Sequence, residues 1–284
     1  MIFYIESFTT GSIDAHKNSQ RRWIADKGPV VETCMGWIEK YVDPENIRAY
    51  WEGFVTIVDK DQSRKFGELV KASEILIPRL PWPSSMEKDK FLAPDFTSLE
   101  VITFASKACP AGINIPNYDD IRETEGFKNF VLNNSLNSKG AKNPDKISFA
   151  TQEQSDLLLA WSNRCYEVKV GCHELLGHGS GKLIYRGDSE ETPTFTDPIT
   201  GEAYQSCYEK GELYNEKFGT ISTSYEECRA DATAFFLSPM PEVYTLFGFK
   251  EEEVDTLLWV QVMGQFRKAI VGLQVFNPTS KRWC

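Results

Sequence analysis

Residues Cys172 to Lys182 read CHELLGHGSGK. A helix that brings two imidazoles to one metal usually spaces them four apart, as H-E-x-x-H. Here His173 and His178 are five apart, with Leu175, Leu176 and Gly177 after Glu174. At roughly 100° per residue, side chains four apart differ by about 40° and side chains five apart by about 140°. On a regular helix the two rings therefore diverge. One extra residue can be absorbed as a π-bulge, a distortion that often marks a functional site. Gly177 sits where the distortion is needed and adds little steric cost there. The stretch thus predicts a helix widened beside Gly177, with both imidazoles turned the same way. The chain has only three histidines, and two of them are in this motif.

The segments around the motif can also be read for structure. EGFVTIV, Glu52 to Val58, and SLEVITF, Ser98 to Phe104, have strand character. Lys65 to Ile77 has helical spacing, and RLPWPSSMEKDKFLAPDF is a proline-rich connection. In PAGINIPNYDD the flanking prolines suit an edge strand or an extended loop. From about residue 150 the chain turns helical, with Val168, Cys172, Leu175 and Leu176 on one face. Gly187 to Gly219 is loop-like, and Ser224 opens a helix that must end near Ser238, before Pro239. A last helix over Glu251 to Phe276 places Val254, Leu257, Leu258, Val262, Phe266 and Ile270 on one side. The class is α+β with helices in the majority.

A catalytic zinc takes three protein ligands and keeps one position open. About fifty residues past the histidines, TSYEECRAD offers Glu226 and Glu227. Ser224-x-x-Glu227 is also a capping box, in which the glutamate only ties down a helix start. Taken alone the cap is the better reading; beside a two-histidine helix the ligand reading is. Cys172 and Cys228, next to these residues, read as buried inert thiols. HGSGKL contains Gly181-Lys182, but Leu176 and Leu183 occupy positions where a phosphate-binding G-x-x-x-x-G-K-[ST] loop needs Gly and Ser or Thr.

HELLGH followed by EECRAD resembles the dipeptidyl peptidase III family of zinc metallopeptidases, which carry H-E-x-x-G-H and E-E-C-[RK]-A-[DE]. The likeness extends over nearly the whole chain, through KGPVVE, PWP, EKDKF, APDFTSLEV and PAGINIPNYDDIRETEGFKN. It implies a mainly helical zinc-binding lobe plus part of a mixed β lobe, the central fragment of a two-lobed peptidase. Residues 1–59 and 98–143 would belong to the substrate lobe, 60–97 to a helical excursion into the zinc lobe, and 144–284 to the zinc lobe itself. One Zn2+ per chain would be held by His173, His178 and Glu227. Glu174 would be the general base, and Glu226 would hold the N–H of a ligand histidine. Glu39 and Tyr41 in WIEKY, Glu52 in WEGF, and Asn114 and Asn117 in GINIPN would bind the free amine end of a peptide, Tyr41 also donating to the oxyanion. Ala111 and Gly112 lie in a segment suited to pairing with substrate backbone as an added strand. Without the resemblance, Glu39 and Glu52 read as solvated charges and Tyr41 as a core aromatic.

The resemblance implies release of dipeptides from the free N-terminus of oligopeptides. It also shows departures. The family's members are longer, and the chain ends at Cys284, before a histidine that assists at the transition state and before basic residues that would hold the far end of a peptide. Asn215 stands where some members carry aspartate. The isolated chain is accordingly expected to bind zinc weakly and turn over poorly, the alternative being a peptide- or partner-binding module. The formal net charge of -10 argues against nucleic acid and anionic membranes as partners. No apolar run approaches the roughly 20 residues that span a bilayer. Seven scattered cysteines without a C-x-x-C suit a reducing compartment. A cytoplasmic monomer acting on oligopeptides is the expectation.

Overall fold

The computed structural model describes residues 2–37, 51–106, 109–138, 147, 149–186, 200–203 and 207–283. Five strands form one sheet in the order β1-β2-β3-β5-β4. They are β1 (Val31–Trp37), β2 (Trp51–Asp59), β3 (Asp95–Ala105), β4 (Gly112–Ile115) and β5 (Lys128–Leu132). All neighbours are antiparallel except β3 and β5. Side chains alternate between the two faces of a strand, and β5 shows why the sheet is covered on both. Phe130 and Leu132 join Leu99, Phe54, Ile113 and Ile115 in one apolar cluster, capped by Trp23 and Ile24 of helix α2 (Ile13–Ala25). Val131 and Phe96 point the other way, into the helical core, where Phe96 stacks on Phe66 with ring centroids 4.5 Å apart. As PAGINIP predicts, β4 is an edge strand. Helix α1 (Ile2–Thr10) packs on α2.

Inside the first cluster lies a fully buried ion pair. Lys128 Nζ is 2.8 Å from Glu32 Oε2, with the two side chains 0% and 3% exposed. Burying charges is costly unless their hydrogen-bonding capacity is met. Here Trp23 Nε1 (2.7 Å) and the Thr33 amide (3.1 Å) donate to Glu32 Oε1. The ammonium also lies 4.7 Å from the Trp23 ring.

The helical layer is built on α3 (Lys60–Leu76), α6 (Gln152–Cys172), α8 (Ser222–Leu237), α9 (Pro241–Tyr244) and α10 (Val254–Gly272). Short helices α4 (Asp119–Thr124), α5 (Asn133–Ser138) and α7 (Tyr214–Phe218) sit between them. α6 opens with a reciprocal cap between Thr151 and Gln154, satisfying two amides that a helix start leaves bare. Val168, Cys172, Leu175 and Leu176 are all buried, as their spacing predicts, against Ala234 and Leu237 of α8 and Leu257 and Val260 of α10. Among the described residues no helix is long and apolar enough to cross a membrane.

Several expectations need correction. α3 begins at Lys60, five residues before the apolar periodicity, because the Asp59 carboxylate accepts from the amides of Asp61 and Gln62, both at 3.0 Å. α8 begins at Ser222 rather than Ser224; the Ser224 hydroxyl donates back to the Ile221 carbonyl, and no Ser224–Glu227 cap forms. α7 interrupts the stretch expected to be loop. On α10 the apolar stripe outruns the core: Val262, Phe266 and Ile270 are 42%, 59% and 52% exposed. The buried residues of α10 are Leu257, Val260 and Gln261, a face offset from Val262, Phe266 and Ile270. Cys172 is buried, but Cys228 is exposed, because one step past Glu227 turns it to the outer side of α8.

Candidate metal centre and cleft

The extra residue between the histidines is taken up as a single π-turn over His173–Gly177, closed by the His178 amide donating to the His173 carbonyl at 3.0 Å. The turn brings the rings to a centroid separation of 4.8 Å at 89°. Gly177 has a more specific reason than easing the distortion. A Cβ there would fall 2.8 Å from Ala230 Cα and 2.9 Å from both Ala230 Cβ and its carbonyl oxygen. Glycine is what lets α8 lie directly on the turn.

That approach delivers the carboxylates. Glu227 Oε2 lies 3.3 Å from His173 Nε2, and Oε1 lies 3.7 Å from His178 Nε2. One ligand atom from each of the three residues fits within 4.8 Å of the others. The opposite ring nitrogens are held by two further acids. Asp231 Oδ1 is 2.9 Å from His173 Nδ1, and Glu226 Oε1 is 3.0 Å from His178 Nδ1. Both imidazoles are thereby turned to present Nε2 toward Glu227. Arg229 holds Glu226 with two bonds, at 2.6 and 2.9 Å. Burial would raise the Glu226 carboxyl, but the His178 and Arg229 bonds prevail and hold it at about 2. Asp231 also sits at about 2, burial being outweighed by His173 and Lys169. His173 itself is raised to about 10, its burial overcome by Asp231 and Glu227.

The donor set suits a zinc ion. Zinc bonds of about 2.0–2.2 Å in a tetrahedron put ligand atoms roughly 3.3 Å apart. The Glu227 contacts already lie near that spacing, and two imidazoles with a carboxylate leave a fourth position open. Asp231 is the acid the sequence reading passed over. It closes EECRAD four residues after Glu227, so both project from one face of α8.

Glu174 is buried beneath β4. A Cβ on Gly112 would fall 2.9 Å from Glu174 Cδ, so that glycine leaves room for the carboxylate. Burial raises the Glu174 carboxyl, against the pull of His173, His178 and Arg122. Asn114 Nδ2 donates to the Glu174 carbonyl at 3.0 Å and also to Asn129 Oδ1. Its Oδ1 accepts from Arg122, which reaches on to the Pro116 carbonyl (3.1 Å) and the His178 carbonyl (3.4 Å). Both Asn114 amide hydrogens are therefore engaged within the protein. Arg122, also absent from the sequence reading, ties the sheet edge to the end of the histidine motif.

A cleft of about 900 Å3 opens over these groups. Its walls include Ala111, Gly112, Asn114, Asn117, His173, Glu174, His178, Glu226 and Glu227. Glu52 is not among the described residues of the wall: it is 3% exposed in β2, takes a hydrogen bond from the Ser106 hydroxyl, and is raised by burial. Glu39 and Tyr41 lie outside the described residues.

The family model for peptidase family M49 matches residues 1–284. The chain is 48% identical to dipeptidyl peptidase 3 of Rattus norvegicus over 284 residues, covering 99% of this chain and 38% of that protein. Against dipeptidyl peptidase 3 of Dictyostelium discoideum it is 42% identical over 287 residues, covering 98% of this chain and 41% of that one. Two solved structures share its fold. DPP III from Caldithrix abyssi superposes with a TM-score of 0.67 at 20% identity, over 93% of this chain and 46% of that one. Dipeptidyl-peptidase III from Corallococcus gives 0.68 at 18% identity, over 91% and 44%. The chain thus spans about two-fifths of the length of the proteins it matches in sequence.

Proposed function

The chain belongs to peptidase family M49, and on that basis we propose that it carries the working centre of a zinc-dependent peptidase that releases dipeptides from the free N-terminus of oligopeptides. The observation that carries this reading is the convergence of His173, His178 and Glu227 on one point of a cleft, with the Glu174 carboxyl buried beside it. The relatives' name, dipeptidyl peptidase 3, supplies the product.

In this reading His173 Nε2, His178 Nε2 and Glu227 hold one Zn2+. When bound, zinc supplies Lewis acidity toward the scissile carbonyl and the attacking water. Asp231 and Glu226 keep the imidazoles in the tautomer that leaves Nε2 free to ligate. Glu174 accepts a proton from the water and passes it to the leaving amine. A carboxyl raised by burial suits both halves of that exchange, since it is basic enough to take the proton and acidic enough to return it. The open edge of β4 takes the peptide backbone as an added strand, with Ala111, Gly112, Asn114 and Asn117 along it. Glu39, Tyr41 and Glu52 are assigned to the amine end by motif alone. The described cysteines are free thiols, which suits a reducing compartment such as the cytosol.

The test is metal stoichiometry by native mass spectrometry, with dipeptide release measured from one peptide in unblocked and N-acetylated form. With zinc supplied in excess, one ion per chain is expected, with slow release of dipeptides from the unblocked peptide only. Glu174→Gln should keep the zinc and stop the release. A chain that takes up no zinc even at excess, or that cuts both peptides alike, would refute the proposal. Zinc and peptide binding without release would favour a binding module instead.

A further inference from the structure

Each candidate ligand histidine is backed by a carboxylate, and each carboxylate by a cation. The two supports are built differently. On the His178 side, Glu226 and Arg229 are three apart on the same helix. On the His173 side the support crosses three helices. Lys169 of α6 donates to Asp231 Oδ2 at 2.8 Å and to Gln265 Oε1 of α10 at 2.9 Å, while Asp231 Oδ1 faces His173 Nδ1. Lys169 precedes His173 by four residues and Asp231 follows Glu227 by four, so in each helix the pair stacks on one face.

We propose that Lys169 and Gln265 are positioning residues of the metal centre, acting through Asp231 to fix the His173 ring. The Lys169 side chain is only 6% exposed, and its ammonium lies 4.9 Å from the Phe235 ring. A buried ion pair is weak evidence for stability, because an apolar side chain of similar volume often serves as well. Orientation is what an apolar side chain cannot supply. Asp231 is 26% exposed and borders the cleft, so its carboxylate has room to turn. Lys169 holds Oδ2 on the protein side and leaves Oδ1 aimed at the imidazole. Gln265 accepts from the same ammonium and sets its position from α10. The α10 register is thereby linked to the direction in which His173 Nε2 points.

This inference rests on the reading of His173 as a zinc ligand. The experiment measures zinc affinity of the folded chain by competition with a chromophoric chelator, together with unfolding of the metal-free chain. Partners behind a ligand histidine are typically worth about 10–100-fold in metal affinity. Asp231→Asn should fall in that range, and Lys169→Met should weaken zinc about tenfold. Added to Asp231→Asn, Lys169→Met should do nothing further, because both act on one ring. Gln265→Leu keeps the cation and should weaken zinc a few-fold; it carries the test if Lys169→Met does not fold. Lys169→Met or Gln265→Leu binding zinc like the parent, or the Lys169 and Asp231 effects adding independently, would overturn the inference and leave the metal centre standing. His173→Ala binding zinc as tightly as the parent would overturn the metal centre as well.

Discussion

Replacing Gly177 by alanine tests the packing that assembles the site. In an ordinary helix this change stabilises by up to about 1 kcal/mol. Here the sign should reverse. The new Cβ would meet Ala230 at 2.8–2.9 Å, and the atoms it meets are backbone and Cβ, which have no rotamer to yield. α8 must retreat by roughly 0.5 Å before the contact is tolerable. Overpacking of a buried contact costs about 1–3 kcal/mol, and a Cβ pressed on atoms that cannot rotate away belongs at the upper end. The retreat also exceeds the roughly 0.2 Å tolerance of metal–ligand distances. Because Glu226, Glu227 and Asp231 ride on α8, zinc affinity should fall about tenfold or more. Urea unfolding of the metal-free chain reads the first effect, and chelator competition reads the second. Gly67→Ala in α3 is the control: its Cβ meets nothing within 4 Å, and it should stabilise by about 0.5–1 kcal/mol. If Gly177→Ala unfolds at the parent's urea concentration and binds zinc equally well, the close approach of α8 is not what positions the site.

Two other outcomes are expected. His173 is raised from an ordinary 6.5 to about 10, so the stability it lends is complete below about 6.5 and drains away toward pH 10. Glu226 and Asp231 are lowered from 4.5 and 3.8 to about 2, so their contributions are complete above those ordinary values and vanish toward pH 2. With chelator present, thermal unfolding midpoints should therefore peak between about pH 4.5 and 6.5. The increment added by zinc should grow from pH 6 to 9, because His173 must give up its proton to ligate. A chelated midpoint that climbs over that range would contradict the assignment. In the sheet, Lys128→Met strands a buried Glu32 carboxylate and should cost about 3–5 kcal/mol in urea unfolding. A loss under about 1 kcal/mol would show that the Trp23 and Thr33 bonds suffice without the cation.

What could be read in the residues was what depends on neighbours in sequence. The π-turn follows from a five-residue spacing inside a helical stretch, and the edge position of β4 from the prolines around GINI. Features set by distant packing were not legible. A lysine at position 169 looks like a solvated charge until α8 and α10, 62 and 96 residues away, close over it. Glu52 taken alone reads as a solvated charge, yet sheet pairing buries it beside Ser106. On α10 periodicity shows which side is apolar but not how much of that side the neighbouring helices cover, and Val262, Phe266 and Ile270 stay exposed. Asp231 was within reach: an acid four residues past a ligand on a helix lies on the ligand's face.

If peptide pairs with β4 as proposed, the border position of that strand carries a consequence for selectivity. A strand edge offers amide and carbonyl groups at a fixed pitch, and every peptide presents the same groups at that pitch. A chain bound there is gauged by its span from the terminus and hardly at all by its spelling. Discrimination among peptides would then fall to whatever meets their side chains, such as the rings of Tyr208, Tyr214, Phe218 and Tyr225, which also line the cleft.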